Sequence, residues 1–403
     1  VLLCTVEELL SNIKQEECKA LQQILICEGE NQGYPTINKW IDSGSTDFET
    51  CDLNSEETAV ILYTSGTTGF PKGAMLSHGN VVSNAWTAAH HAGFTSDDCM
   101  SLFLPIFHVF GQNFVMNATF ISCGTLALYR RFVPENVLTS IAKYRVTMFF
   151  AVPTIFITLL NTDLSMFDLS SIRYDFSAAA TMPKEISIRW NEQFGRRIYE
   201  GYGLTESSPF ASYNHDYQHK FGSIGTPVEN VELKILDEFD QEVQTGEWGE
   251  ICIKGPGVMK GYWNRPEETT NALRNGWLHS GDVGTVDEDG YIYIVDRVKD
   301  MINASGFKVW PVEVEQYLYR HPAVKELAVY GVPHPEKGEA VSAAIVLKEG
   351  MQATGEDIIA YCRENMASYK VPKTVQFVEE LPKSATGKIL KKTLRKAFDA
   401  VVS

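Results

Sequence analysis

The stretch "YTSGTTGFPKGAMLSHGN", residues 63–80, sets two Thr-bearing glycine turns beside a single lysine. Glycine lets backbone N–H groups turn toward a ligand, the hydroxyls add donors, and Lys72 adds a point charge. Together these describe a cradle for phosphate. The common phosphate loop, G-x-x-x-x-G-K-[ST], does not fit, because Pro71 precedes Lys72 while Gly73 and Ala74 follow it. The stretch is therefore a phosphate loop of another lineage. It follows "TAVILY" (58–63), an apolar run that reads as a strand.

Outward from this loop, short apolar runs alternate with amphipathic stretches: "TAVILY" then 79–91, "GTLALY" then 134–143, "TMFFAV" then 154–160, "IRYDFS" then 183–193. That alternation predicts βα units and a largely parallel sheet, an α/β fold. From about 221 to 296 the texture changes to short strands separated by turn residues, as in "DVGTVDEDGYIYIVD", which predicts a small barrel or antiparallel sheet. Past Asp296 come the charged "RVKD", two further strand candidates, a helix near 355–366 and a basic tail. This predicts a compact α+β domain of 301–403 behind a boundary near 297–300.

The chain has 403 residues, enough for a large body plus something smaller. A net charge of -16 argues against nucleic acid as a partner. Eight cysteines lie scattered, with no C-x-x-C and no Cys/His spacing that suits zinc, so reduced thiols in a cytoplasm are expected. No run reaches the ~18 apolar residues of a membrane span. The chain opens on Val1 without a signal peptide and reads as cut from a longer protein.

Four more stretches share the polar, glycine-bearing character of the first: "YEGYGLTESS" (199–208), "GWLHSGDVG" (276–284), "VDRVKDMINASGFKV" (295–309) and "LPKSATGKILKK" (381–392). With the opening loop they stand in the order found in adenylate-forming enzymes, the superfamily of acyl-CoA synthetases, luciferases and peptide-synthetase adenylation domains. From about residue 55 onward the chain resembles that superfamily, and "DRVKDMINASGFKVWPVEVE" looks most like bacterial medium- and long-chain fatty acyl-CoA ligases. The resemblance implies a large domain over 1–296, incomplete at its start, with a β-rich, barrel-like subdomain over about 221–296. A hinge at 297–300 and a smaller, mobile AMP-binding domain over 301–403 follow.

It also implies ATP, Mg²⁺ and coenzyme A as cofactors. Thr64, Ser65, Gly66, Thr67, Thr68, Gly69 and Lys72 are then expected to cradle the β- and γ-phosphates. Tyr202, beside Gly203, offers a ring for the adenine face, Thr205 reaches the α-phosphate, and Glu206 supplies the hard oxygen that magnesium prefers. Asp282 suits two ribose hydroxyls, and Arg297 faces the same ribose or the phosphate with its planar fork. Taken singly, Glu206 also reads as a helix cap, and Asp282 with Arg297 as solvated surface.

Lys388, in "TGK", is the cation expected where charge gathers on the α-phosphate and the attacking carboxylate. Its neighbours Lys383, Lys391, Lys392, Arg395 and Lys396 are expected to form a solvated or anion-binding face. Gly306 is expected to bind cofactor and, with its neighbours, open a path for the thiol, and Lys308 is expected among the catalytic residues. Plant coumarate ligases carry lysine and glutamine where this chain has Asn303 and Lys308, which leaves the polar contacts there open. Lys299 aligns with the family's hinge. His108, or else a satisfied core histidine, stands where the acyl pocket meets the reacting centre. Amino-acid-activating relatives carry an aspartate there, so an amino acid is not the expected substrate. Gly111, Ala178, Ala179 and Gly201 leave a deep apolar slot that suits an alkyl chain.

The implied function is an acid–thiol ligase that activates a small-molecule carboxylic acid, a medium- or long-chain fatty acid, and passes the acyl group to coenzyme A. Two alternatives stand beside it: an acyl-AMP ligase loading the phosphopantetheine of an acyl-carrier protein, and a non-catalytic fragment or scaffold. The reading leaves room for peripheral contact with a membrane that delivers fatty acids.

Overall fold

The structure, a computed structural model, describes residues 2–28, 33–64, 71–297, 300–334, 338–384 and 386–402. Ser65, Gly66, Thr67, Thr68 and Gly69 of the phosphate loop, and the hinge residue Lys299, lie outside these. The chain divides into two compact units, Val1–Leu53 and Asn54–Ser403. In the first, strands β1 (Leu2–Val6) and β2 (Gln23–Glu28) pair in parallel. Helix α1 (Ile37–Asp42) follows, its first turn capped by the Thr36 side chain.

The second unit opens with β3 (Thr58–Thr64) and β4 (Lys72–Ser77), paired antiparallel from Thr58↔Ser77 to Thr64↔Lys72. "TAVILY" is thus one arm of a hairpin, not the first strand of the parallel sheet. Helix α2 (His78–His91) starts at a capping box in which Ser77 Oγ accepts the Asn80 N–H and Asn80 Oδ1 accepts the Ser77 N–H.

Then comes the predicted alternation: β5 (Cys99–Leu102), α3 (Ala118–Ile121), β6 (Thr125–Leu128), α4 (Pro134–Tyr144), β7 (Met148–Ala151), α5 (Pro153–Leu160), β8 (Tyr174–Ser177), α6 (Lys184–Phe194) and β9 (Ile198–Tyr202). Pro134 and Pro153 open their helices, where the missing N–H costs nothing. The five strands are parallel, and the short β10 (Ser212–Tyr213) and β11 (Thr226–Pro227) extend them antiparallel in the order β11-β10-β9-β8-β7-β5-β6. Phe114, Phe149, Phe150 and Phe176 are fully buried along this sheet, as expected for one covered on both faces.

A second sheet, β12 (Glu232–Leu236), β13 (Gly249–Lys254), β15 (Leu278–Val286) and β16 (Ile292–Arg297), is antiparallel throughout and runs in that order. Between them β14 (Gly261–Tyr262) leaves to pair with β4, and α7 (Pro266–Ala272) brings the chain back.

The remainder is α+β: β17 (Ile302–Ala304), β18 (Phe307–Val309), α8 (Pro311–Leu318), β19 (Val324–His334), β20 (Gly338–Leu347), α9 (Gly355–Asn365), β21 (Thr374–Phe377) and α10 (Lys391–Val402). It belongs to the second unit, seated on the larger part. Asp296 at the end of β16 accepts the Val312 N–H of α8 (3.0 Å), and Trp248 meets Trp310 edge to face at 6.1 Å. Of the basic tail, Lys392 and Lys396 are exposed as expected, but three of its cations face acids instead of solvent. Lys391 Nζ lies 2.9 Å from Glu315, Lys383 Nζ 2.9 Å from Glu326, and Arg395 4.0 Å from Asp300. No helix among the described residues is long and apolar enough to cross a membrane.

Candidate active site

The parallel strands β5, β7, β8 and β9 all end on one edge, where open α/β sheets bind ligands, and His108, Gly111, Ala178, Ala179, Gly203, Thr205 and Glu206 follow those ends. At β9 the backbone is crowded. A side chain on Gly203 would begin 1.3 Å from the Pro209 carbonyl oxygen, and one on Gly201 2.6 Å from the Phe176 ring, so neither position admits a Cβ. Between them Tyr202 is buried, and its hydroxyl donates to Asp282 Oδ2 at 2.8 Å. Burial and the Asp282 charge hold that phenol protonated, well above its usual range. Asp282 sits on β15 opposite Arg297 on β16, with Arg297 Nε 3.1 Å from Asp282 Oδ1. An aromatic ring, a buried acid and a guanidinium thus meet at one corner.

A second group forms at the hairpin. Thr64 and Lys72 are registered partners at the mouth of the loop, and Lys72 Nζ lies 5.0 Å above the Tyr262 ring. The Tyr262 hydroxyl donates to Glu206 Oε1 at 2.8 Å. Glu206 lies with Thr205 in a single turn, 205–207, directly after β9. The Glu206 carboxylate is buried, and one hydroxyl leaves most of its acceptor capacity free, so a hard cation fits its donor chemistry. Tyr262 was not singled out from the sequence. Its only signal is the aromatic after Gly261, whose φ of +140° belongs to the left-handed half of the map.

The third group crosses from the small α+β part. Gly387, at φ +79°, comes so close to the end of β7 that a Cβ there would lie 2.8 Å from Val152. Thr154 Oγ1 donates to the Gly387 carbonyl at 3.3 Å. Lys388 follows immediately, with its N–H donating to Ser384 Oγ at 3.1 Å. Burial, and then the Lys388 charge, lower the His108 imidazole below its ordinary range, which sets the two side chains in one field. His108 is half-buried after β5, with Nδ1 accepting the Phe110 N–H at 3.2 Å. Gly111 packs against the Leu104 and Pro105 carbonyls. Ala178 and Ala179 follow β8, half-buried. The Phe176 and Phe210 rings press on Gly201 from the apolar side.

Gly306, on the β17–β18 turn, and Lys308, on β18, stand apart from these groups and are exposed. There Asn303 Oδ1 accepts the Gly306 N–H at 2.9 Å, and Phe307 stacks on Tyr369 at 4.7 Å. Glu200, inside "YEGYGLTES", also escaped the sequence reading. It is buried, and burial pushes its carboxyl well above the ordinary range.

Comparison with known proteins fits this arrangement. Residues 1–263 match the family described as AMP-binding enzyme, and residues 313–388 match the AMP-binding enzyme C-terminal domain. The chain is 43% identical over 346 residues to a long-chain-fatty-acid–CoA ligase of Bacillus subtilis (strain 168), covering 84% of this chain and 61% of that protein. It is 40% identical over 346 residues to a feruloyl-CoA synthase of Amycolatopsis sp, covering 85% and 70%. The chain therefore spans about 61% of the length of the fatty-acid ligase it matches. Among solved structures, the anthranilate CoA ligase AuaEII in complex with anthranoyl-AMP superposes with a TM-score of 0.91 at 32% identity, over 99% of this chain and 79% of that one. ATP-bound MatB from Rhodopseudomonas palustris gives 0.90 at 32%, over 100% and 80%. Five motifs in the family's order, both halves of the family pattern and close likeness to solved members lead to one conclusion: the chain belongs to the AMP-binding, adenylate-forming enzyme family.

Proposed function

We propose that this chain carries the active centre of an AMP-forming acid–thiol ligase that activates a medium- or long-chain fatty acid and passes it to coenzyme A. The observation that carries the reading is the seating of Gly387, directly before Lys388, at the end of β7, on the strand edge that also holds Tyr202, Thr205 and Glu206, with Asp282 of the second sheet bonded to Tyr202.

In the first half-reaction a carboxylate oxygen attacks the α-phosphorus of ATP. A new O–P bond forms, the bond to pyrophosphate breaks, and an acyl-adenylate results. Lys388 supplies positive charge where the pentavalent phosphorus gains negative charge, and Thr205 adds a donor to the same oxygens. Lys72 holds the departing pyrophosphate. Asp282 takes the ribose hydroxyls, Arg297 stands by with its fork, and Tyr202 lines the adenine side. Glu206 would hold magnesium, which when bound neutralises phosphate charge.

In the second half-reaction a thiolate attacks the acyl carbon and AMP leaves with the electron pair. Gly306 and Lys308 stand away from the strand edge, and Lys388 occupies it, so the two steps need different placements of the small part. Lys299 is the proposed hinge. Gly111, Ala178, Ala179 and Gly201 line the acyl side with small groups, which favours an extended alkyl chain.

The test is acid-dependent ATP–pyrophosphate exchange with a panel from acetate through long-chain fatty acids to aryl acids, on this chain and on one extended at its start to the relatives' length. Exchange that peaks with medium or long alkyl acids supports the proposal. A peak with aryl acids refutes the substrate class, and exchange in neither protein refutes the activity.

A further inference from the structure

Beyond the residues that would touch substrate, β13 and β15 carry a buried polar cluster that no function described so far uses. The two strands fall out of register at one place: Glu250 pairs with Val283, but the next pair is Cys252 with His279. Ile251 alone therefore spans Ser280, Gly281 and Asp282, a bulge in β15. Each residue of the bulge is tied back. Ser280 Oγ donates to the Ile251 carbonyl at 2.6 Å, and the Asp282 N–H donates to Ser280 Oγ at 3.1 Å. Gly281 adopts φ +74°, which only glycine takes without strain, and its N–H donates to Glu250 Oε1 at 2.8 Å. The other oxygen, Oε2, lies 2.8 Å from His279 Nδ1 and 3.3 Å from Arg274 Nη2.

We infer that Glu250 is a positioning residue for the nucleotide ribose. Its carboxylate grips both sides of the bulge and fixes the backbone turn that points Asp282 at Tyr202 and Arg297. An unpaired strand residue has no ladder bond to hold it, so a side chain must do so. A carboxylate that accepts a backbone N–H, a ring N–H and a guanidinium is a stiff clamp, because charge-assisted bonds are short and directional. The inference rests on the proposed role of Asp282 at the ribose.

Glu250, Cys252 and His279 also bring three donor atoms within 4.8 Å of one another, the arrangement of a metal site. One feature favours the clamp: Arg274 places its own cation on Glu250 and, at 3.2 Å, on Asp240, where it competes with a second one.

The experiment measures calorimetric Kd values for ATP and 2′,3′-dideoxy-ATP on the wild type, Glu250→Gln, Asp282→Asn and the double variant. Two hydroxyls on a carboxylate should give the wild type an ATP preference of about 10- to 100-fold. Glu250→Gln should cut that preference to within about threefold of unity while leaving dideoxy-ATP binding within about threefold of wild type, and it should add nothing to Asp282→Asn. Gly281→Ala, which strains the same bulge from the backbone side, should act alike and serves if Glu250→Gln does not fold. Equal weakening of both nucleotides, or an unchanged preference, overturns the positioning role. So does one equivalent of zinc retained by the wild type and lost from Glu250→Gln. A wild type without preference for ATP refutes the ribose role of Asp282 itself, and the clamp with it.

Discussion

Replacing Lys391 by Met tests how the small α+β part is held. Lys391 Nζ lies 2.9 Å from Glu315 Oε1, with side chains only 18% and 16% exposed, and Asp296 faces the same ammonium. Burial pulls the lysine toward neutrality, but Glu315, Asp296 and Asp300 outweigh it and raise its pKa above the ordinary value. Removing one partner of a buried pair costs about 3–5 kcal/mol, because the other charge stays behind. Glu315 Oε1 also accepts the Val329 N–H at 2.8 Å, which retains part of its solvation, so the low end, about 3 kcal/mol, is expected. At about 2.1 cal/mol/K of unfolding entropy per residue, the second unit, Asn54–Ser403, shifts by about 1.4 °C per kcal/mol, so the melting temperature should fall by about 4 °C.

The loss should depend on pH. Burial, against the opposing pull of Lys391, pushes the Asp296 carboxyl up to about 6. A carboxyl raised in the folded state stabilises below its unfolded pKa of about 4, and that contribution is lost as pH rises through the folded value. Without Lys391 the folded value climbs further, so the deficit against wild type should be largest at pH 8 and shrink toward pH 5. Scanning calorimetry at both pH values decides it. A deficit that is absent, or the same at both, would refute the account of this cluster.

Lys388→Ala should slow ATP–pyrophosphate exchange by about 100-fold or more while sparing thioester formation from a supplied acyl-adenylate, since the charge it stabilises arises only in the first step. Equal loss in both assays points to misfolding instead. Glu206→Gln should raise the magnesium concentration needed for half-maximal exchange, because the amide keeps the shape and drops the charge; an unmoved titration removes Glu206 from the metal's shell. Gly203→Ala meets the Pro209 carbonyl at 1.3 Å, so the turn after β9 must shift. ATP affinity should drop at least tenfold, about 1.4 kcal/mol, and calorimetric binding at wild-type strength would show that Tyr202 and Thr205 do not depend on that turn.

The parallel sheet was legible because its strands announce themselves: "TMFFAV" and "IRYDFS" are short, apolar and bounded by helical periodicity. Partner choice was not. Nothing inside "TAVILY" distinguishes a parallel strand from the hairpin arm it forms with Lys72–Ser77, since period and composition are the same for both. The motifs carried the site as far as each named its own residue. What they missed is long-range by nature. Tyr262 reaches Glu206 only because β14 leaves its own sheet to pair with β4, and Glu250 reaches Gly281 only through a register slip. Lys391 and Arg395 of the basic tail, unlike the exposed Lys392 and Lys396, were misjudged for the same reason: a helix shows which of its residues share a face, not which acids will stand opposite.

The hairpin that frames the phosphate loop has a consequence for length variation. Its rungs run to Thr64↔Lys72, so the ladder, not the connection, determines where Lys72 points. Residues added between those two positions lengthen a closed loop, and each doubling costs only about 0.6 kcal/mol. One residue added within Thr58–Thr64 or Lys72–Ser77 slips the pairing and turns Lys72 to the face away from Tyr262. The hairpin's stability should tolerate insertions at its tip and none in its arms.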